Sequence, residues 1–503
     1  MERREFLLYS LGACQSSASA APAFDDAFSS ASTAEAAIRK RQVSSAELTR
    51  HCLDRLQRYD PSLHAFVQVY AEWALARAKE ADAALARKQI WGPLHGIPVS
   101  IKECFAYRET ITSAGIPDLK DFRPKHNAVV VDRLEKGGAI IIGKTNIPFA
   151  LSDNQSFNDV YHLTSNNPYD LTRTPGGSTG GGAAATAAGI GFLTFGSDIA
   201  GSIRFPAHFC GLYGHKPTID LVPRRGHVPP PTDRSWTVPN LLTVVGPLAR
   251  TADDLRLALE VIAGPDGPDA KALHYSMPKP RAARLRDFRV GIPADDGWCP
   301  LSSEIRSCYE IAIAEIEKAG AKVVRGWPAG FQLEAAFRVY SYLLWSATAT
   351  PLAKEREEQL RQAYEKNPQD PRLAAQVGPA SELRAMTQQL YAIRAAWETY
   401  FHDIDVFVSP VDFVAAFPHD HSSGARQLQT PEGPRNYDDQ GRWIFFPTLT
   451  GTPATVAPVG RTPAGLPCGV QITGPFLEDG STIAFAALLK ERLGGYVPPN
   501  GFP

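Results

Sequence analysis

Apolar residues recur at spacings of three and four along LTRHCLDRLQRY (48–59), directly after a Ser44–Glu47 capping pair, and this predicts an amphipathic helix. EWALARAKEADAALARK (72–88) predicts a second. From Gly92 the pattern changes to short β-rich runs alternating with helical ones. GIPVSIK (96–102) predicts a strand, AVVVDRLEKGG (128–138) a helix stopped by glycine, and AIII (139–142) another strand. The alternation resumes with FRVGIP (288–293), a helix carrying Ile305, Tyr309, Ile313 and Ile316, and AKVV (321–324). IDVFVSP (404–410), ATVAPVG (454–460) and CGVQITGP (468–475) supply further strands. Strands alternating with helices predict an α/β fold built on a mostly parallel sheet.

Turn and strand signals interleave without a linker or an internal repeat, so residues 33–503 read as one large domain. It has N-terminal helices over 33–90, the densest motifs over 92–218 and a charged helical cover over roughly 330–400. The 503 residues, 44% hydrophobic and 21% charged, fit a globular chain. Lys+Arg 52 against Asp+Glu 53 leaves no positive field for nucleic acid or anionic lipid. No apolar run is long enough to span a bilayer, so no stable membrane insertion is expected. Residues 1–32 read as an export signal and flexible leader. Arg3-Arg4 precedes the apolar stretch Phe6 to Ala13, Leu11-Gly12-Ala13-Cys14 resembles a lipoprotein cleavage box, and Ala18-Ser19-Ala20 resembles a cleavage triplet. This resembles a twin-arginine signal and predicts a periplasmic or exported protein, with a cytoplasmic one the alternative. The seven cysteines form no CxxC pair, which argues against a zinc knuckle or disulfide framework.

Two motifs match in letters and fail in context. GAIIIGKT (138–145) has the Walker A spacing, but its variable positions are a predicted strand instead of a loop that could wrap a phosphate. GGSTG (176–180) has the spacing of a nucleophile elbow, but NNPYDLTRTPGG before it carries two prolines and cannot be the strand that feeds such a turn.

Six segments together carry a more specific signal. They are GIPVSIKE (96–103), GKTNIPFAL (143–151), QSFNDV (155–160), NNPYDLTRTPGGSTGG (166–181), GSDIAGSIRFPAHFCGLYGHKPT (196–218) and the late LTGTPATVAPVG with AGLPCGVQITGP. In these the chain resembles the amidase signature family. The resemblance implies a single α/β domain, a central mixed sheet covered by helices, and amide hydrolysis by a Ser–Ser–Lys triad. It implies no cofactor and no metal. It puts the nucleophile at Ser202, the bridging serine at Ser178 on a cis peptide bond, and the base at Lys102.

The chemistry is consistent with that assignment. A serine hydroxyl needs a base within hydrogen-bond reach, and no Ser-His-Asp pattern is evident. Neutralising a free lysine at pH 7 costs about 4–5 kcal/mol, which burial behind Ile97, Val99 and Ile101 would supply. Ser178 can pass a proton because a hydroxyl both donates and accepts. Backbone N–H groups of Ile199, Ala200, Gly201 and Ser202 are candidate oxyanion donors, each worth about 3 kcal/mol at the transition state. The family usually has Gly-Gly before the nucleophile; here the first is Ala200, which would be strained if its φ were positive. Asp198 and Arg204 are expected to hold the turn. His419 and His421 are expected in a solvated or pocket-lining loop, and His215 in a structural role.

The expected partner is a small-molecule amide bound against Thr179, Leu151, the 330–400 helices and the 410–447 loops. Rival readings are the glutaminase subunit of a tRNA-dependent amidotransferase and a non-catalytic binding protein on the same fold. Acyl and amine preference stay open, as does assembly, with a homodimer one reading.

Overall fold

Ser44 accepts the N–H of Glu47, and the Glu47 carboxylate reaches back to the Ser44 N–H, so the capping box opens the helix Ser45–Leu63 as its spacing predicts. The next helix, Ala71–Ala86, turns Ala74, Ala78, Ala81 and Ala84 inward. The computed structural model describes residues 27–230, 240–295, 297–349 and 353–503. The arginine pair, the apolar stretch and Cys14 of the leader lie outside the described residues.

Thirteen strands form among the described residues: β1 (Phe66–Val69), β2 (Pro98–Lys102), β3 (Ile140–Thr145), β4 (Leu193–Asp198), β5 (Tyr213–Lys216), β6 (Val244–Ala249), β7 (Arg289–Ile292), β8 (Lys322–Arg325), β9 (Val406–Pro410), β10 (Gln427–Thr430), β11 (Gly433–Asn436), β12 (Ala454–Arg461) and β13 (Pro467–Thr473). Eleven make one sheet in the order β1-β3-β2-β4-β6-β5-β12-β13-β9-β7-β8, and β10 with β11 makes a separate hairpin. The sheet is mixed, but it is not mostly parallel as the sequence pattern predicts. Parallel pairing is confined to two flanks, β3-β2-β4 and β9-β7-β8. The pairs between them, and β1 on β3, are antiparallel. The reason is in the connections: β12 and β13 are joined by residues 462–466, far too few for the dozen or more that a parallel crossover needs.

Helices cover this sheet, and apolar side chains fill the space between. Ile140 and Ile142 of β3, Val99 and Ile101 of β2 and Leu193 and Phe195 of β4 are buried in one cluster. A second cluster is aromatic, with Trp397 stacked on Phe446 at 5.2 Å between ring centres. Trp397 belongs to the helix Ala380–Asp403, which follows the helices Leu333–Thr348, Lys354–Lys366 and Pro371–Val377. Among the described residues no helix is long and apolar enough to cross a membrane.

Candidate active site

Every residue of β2 is buried, because β3 and β4 pair with it on both edges. Lys102 is its last residue and inherits that burial, with 0% of its surface exposed. Its ammonium is held in place by neighbours instead of water. Lys102 Nζ lies 2.7 Å from Ser178 Oγ, 3.1 Å from Ser197 Oγ and 3.4 Å from the Ser197 carbonyl oxygen. Burial draws its pKa from the ordinary lysine value down to about 8, against the opposing pull of Cys104 and Asp198.

Ser178 sits just before the helix Gly180–Ala187, and the Gly177–Ser178 peptide is cis. Gly177 is glycine for a packing reason: a Cβ there would collide with the carbonyl oxygen of Asp153. The adjacent Thr179 N–H donates to the carbonyl oxygen of Ser202 at 3.2 Å. That bond ties the two serine-bearing turns together and brings Ser202 to the same corner as Ser178 and Lys102.

The turn that carries Ser202 is built around a buried ion pair. Asp198 Oδ1 is 2.8 Å from Arg204 Nη2, and neither side chain is exposed. Asp198 also accepts the N–H of Gly201 and Ile203 at 2.9 and 3.0 Å. Burial alone would raise its pKa, but Arg204 and these donors outweigh burial and hold it at about 2. Arg204 reaches on to the Ile444 carbonyl, Gln471 Oε1 and Thr448 Oγ1. The pair therefore acts as scaffold, as its sequence position suggests.

Two expectations for this turn change. The left-handed residue is Gly201, with φ 94, and Ala200 is not among the positive-φ residues, so the alanine carries no strain of that kind. The Gly201 N–H is committed to Asp198, so it is not available to a substrate oxyanion. The candidate donors narrow to Ile199, Ala200 and Ser202.

Beside the turn lies a cavity of about 830 Å³. Ala200 and Phe205 border it on one side, and Phe337 and Tyr340 of Leu333–Thr348 on another. The Tyr340 hydroxyl is buried and has no hydrogen-bond partner among the described residues. The four arginines that line the cavity are each paired: Arg426 with Asp153 at 2.8 Å, Arg442 with Asp439 at 2.9 Å, Arg372 with Asp370 at 3.4 Å and Arg338 with Glu382 at 3.5 Å. Leu151 and Thr179 do not line it. Instead Ser152, Asp153 and Asn154 do, while Thr179 is fully buried with its side chain against Gly196.

His419 bonds Asn166 at 3.0 Å, and His421 stacks on Phe157 at 4.5 Å. His215 bridges Thr455 and Asp479 in the core. Sequence reasoning missed Ser197, Tyr340 and His227, whose Nε2 lies 2.8 Å from Ser197 Oγ. A single sequence offers no signal for Tyr340, a residue on an ordinary helix.

Known proteins resemble the chain in sequence and fold. The chain is 38% identical over 291 residues to a glutamyl-tRNA(Gln) amidotransferase subunit from Coxiella burnetii, a stretch that covers 57% of this chain and 58% of that protein's length. It is 30% identical over 468 residues to the corresponding protein of a Cyanothece species, across 87% of this chain and 92% of the relative. A solved amidase superposes with a TM-score of 0.74 at 26% identity, covering 93% of this chain and 100% of its own. A bacterial aryl acylamidase of the amidase signature family shares the fold, with a TM-score of 0.76 at 21% identity over 92% of this chain and 96% of its own. The amidase family pattern itself matches residues 47–483, from the capped helix before β1 to the helix after β13, and the chain belongs to the amidase signature family.

Proposed function

We propose that the protein hydrolyses a carboxylic amide to an acid and ammonia or an amine through an acyl-enzyme on Ser202. The observation that carries this reading is the buried Lys102 Nζ held 2.7 Å from Ser178 Oγ. An amine in that position is within reach to take the serine proton.

In the acylation step Ser202 Oγ bonds to the amide carbon. Its proton passes to Ser178 Oγ as the Ser178 proton passes to neutral Lys102. Negative charge gathers on the carbonyl oxygen, facing the N–H groups of Ile199, Ala200 and Ser202. The C–N bond then breaks, and the Lys102 proton returns through Ser178 to the leaving nitrogen. Water attacks the ester by the same relay in reverse, releasing the acid and restoring Ser202.

The cavity favours an uncharged substrate. Each lining arginine already has a carboxylate beside it, so a substrate carboxylate meets cations that are partly neutralised, with Arg338 Nε the donor left without a partner among the described residues. Phe205, Phe337 and Trp298 offer apolar area to an aromatic or large aliphatic group. The glutaminase reading, which the names of the relatives support, requires binding of a zwitterionic amino acid and fits these paired arginines less well.

A fluorophosphonate probe tests the enzyme reading. Labelling should be stoichiometric in the wild type and absent in Ser202→Ala. Labelling that persists in that variant would overturn it. We also propose that residues 1–32 direct export. Intact mass of protein recovered from its native cell should show a chain shortened from the N-terminus, and a chain that starts at Met1 would overturn this.

A further inference from the structure

Arg224-Arg225-Gly226-His227 follows the second serine motif, and the chain there folds back over the end of β2. Phe105 bridges to His227 along the backbone and packs edge-on against its ring at 5.8 Å. That packing would account for an aromatic residue, but not for a histidine. The ring nitrogen Nε2 is 2.8 Å from Ser197 Oγ, and Ser197 Oγ is 3.1 Å from Lys102 Nζ. His227, Ser197, Lys102 and Ser178 therefore form one continuous line of polar contacts.

We propose that His227 is a positioning residue which, through Ser197, turns the lone pair of the Lys102 amine toward Ser178. The proposal rests on the amidase reading above. A neutral amine has two N–H groups and one lone pair, and Lys102 has three polar neighbours. Ser197 Oγ and the Ser197 carbonyl oxygen accept the two N–H groups, which leaves the lone pair for the Ser178 proton. The arrangement works only if the Ser197 hydroxyl points its own proton elsewhere; the Cys104 sulfur is also within its reach, but it is a weak acceptor, and His227 Nε2 at 2.8 Å is the strong one.

The tautomer supports this direction. The His227 ring also makes a backbone hydrogen bond with Pro229. Proline has no N–H, so the carbonyl is the acceptor and a ring nitrogen is the donor. With Nδ1 as that donor, Nε2 is bare and accepts from Ser197. Burial first, then the charges of Lys102 and Arg224, push the His227 pKa down to about 3, so the ring stays neutral. Cys104 and Asp198 also face Lys102, and at about 11 and about 2 neither changes charge between roughly pH 5 and 9. In that window Lys102 is the member of the group that titrates.

Without an acceptor at position 227, the Ser197 hydroxyl can swing its proton onto the lysine lone pair. That diverts the base from Ser178 and stabilises the free amine over the ammonium. The rate should fall while the rising limb of the pH profile moves to lower pH, a combination that loss of packing alone would not produce.

The experiment measures the rate of Ser202 labelling by a fluorophosphonate against pH, in full-length wild type, His227→Phe, His227→Gln, Ser197→Ala and the Ser197→Ala/His227→Phe double variant. The phenyl ring keeps the contact with Phe105 and removes the acceptor; glutamine restores an acceptor oxygen. Expected are a plateau about tenfold or more lower in His227→Phe, a limb moved down by about half a pH unit, and recovery to within about threefold in His227→Gln. The double variant should be no slower than Ser197→Ala alone, because both changes break one line of contact. Equal losses in Phe and Gln, an unmoved limb or additive losses would overturn the proposal. Should the phenylalanine variant fail to fold, Ser197→Ala must by itself lower the rate and the limb, and wild-type behaviour in it overturns the proposal. A wild type that takes no label, or a Ser202→Ala that still does, marks failure of the amidase reading instead.

Discussion

In the proposed relay, Lys102 is the residue whose charge state sets the rate. With its pKa near 8, roughly a tenth of the molecules carry the free amine at pH 7. The base is the deprotonated form, so activity should climb about tenfold per pH unit below 8 and level off above it. Labelling rates between pH 6 and 9 measure that limb; a rate independent of pH would mean that Lys102 is not the base. Lys102→Met should remove the limb and nearly all of the rate. Tyr340 gives a second prediction at this scale. Its buried hydroxyl lacks a partner among the described residues, so Tyr340→Phe should leave the free protein as stable or up to about 2 kcal/mol more stable. The same change should weaken substrates that accept a hydrogen bond from it. Denaturant midpoints and kcat/KM, measured together, separate the two effects. Lys102, Ser178 and Ser202 could be singled out from the sequence because each lies inside a motif of the family it resembles, and the structure places Lys102 and Ser178 in contact. Tyr340 and His227 were not readable, because each acts through contacts with residues far away along the chain.

At the scale of elements, the turn between β4 and the helix Arg204–Phe209 holds Ser202, the proposed nucleophile, by one buried charge pair and one left-handed glycine. Arg204→Met would keep most of the volume and strand the Asp198 carboxylate in the core. Removing one partner of a buried pair costs about 3–5 kcal/mol, so the denaturation midpoint should drop sharply and labelling of Ser202 should fall with it. Gly201→Ala adds a left-handed alanine, about 1–2 kcal/mol, and drives a Cβ into the Phe205 ring beside the cavity. Labelling should drop at least tenfold, with a smaller loss of stability than in Arg204→Met. A Gly201→Ala variant that labels at the wild-type rate would mean that the turn tolerates a different backbone.

Strand pairing shows where local pattern stops being informative. The β2, β3 and β7 to β9 runs are short and rich in apolar residues, and they were legible; β4, the parallel neighbour of β2, was not among the predicted strands. β6 was not, since Val244–Ala249 carries Pro247 in a central strand, where a missing N–H argues against a strand at all. β5, Tyr213–Lys216, reads as a polar loop for a similar reason, with His215 and Lys216 in the place of apolar residues. Both are buried by partners from distant parts of the chain, and their antiparallel pairing is what makes the middle of the sheet differ from its flanks.

For the whole molecule, substrate choice follows from how separate segments meet around the cavity. Residues 152–154 come from the loop after β3, Phe337 and Tyr340 from the helical cover, and Arg426, Asp439 and Arg442 from the 420–442 region. No one segment states a preference, and for that reason the sequence left specificity open. Together they present aromatic area and arginines that are already neutralised. A bound carboxylate would have to compete with the carboxylates already held by these arginines, with Arg338 Nε the donor still open to it. An uncharged aromatic amide meets no such cost and gains from leaving water at about 25 cal/mol per Å² of apolar area. A ring contributing about 100 Å² therefore gains about 2.5 kcal/mol, close to a hundredfold in kcat/KM, before any hydrogen bond is counted. Purified protein should accordingly hydrolyse amides such as phenylacetamide or benzamide at least tenfold faster, by kcat/KM, than glutamine or asparagine. Replacing Arg426 by Met should not improve glutamine, because it removes a cation without freeing another. A preference for glutamine, strengthened when a partner protein is added, would reverse this reading and make the protein one member of an amidotransferase.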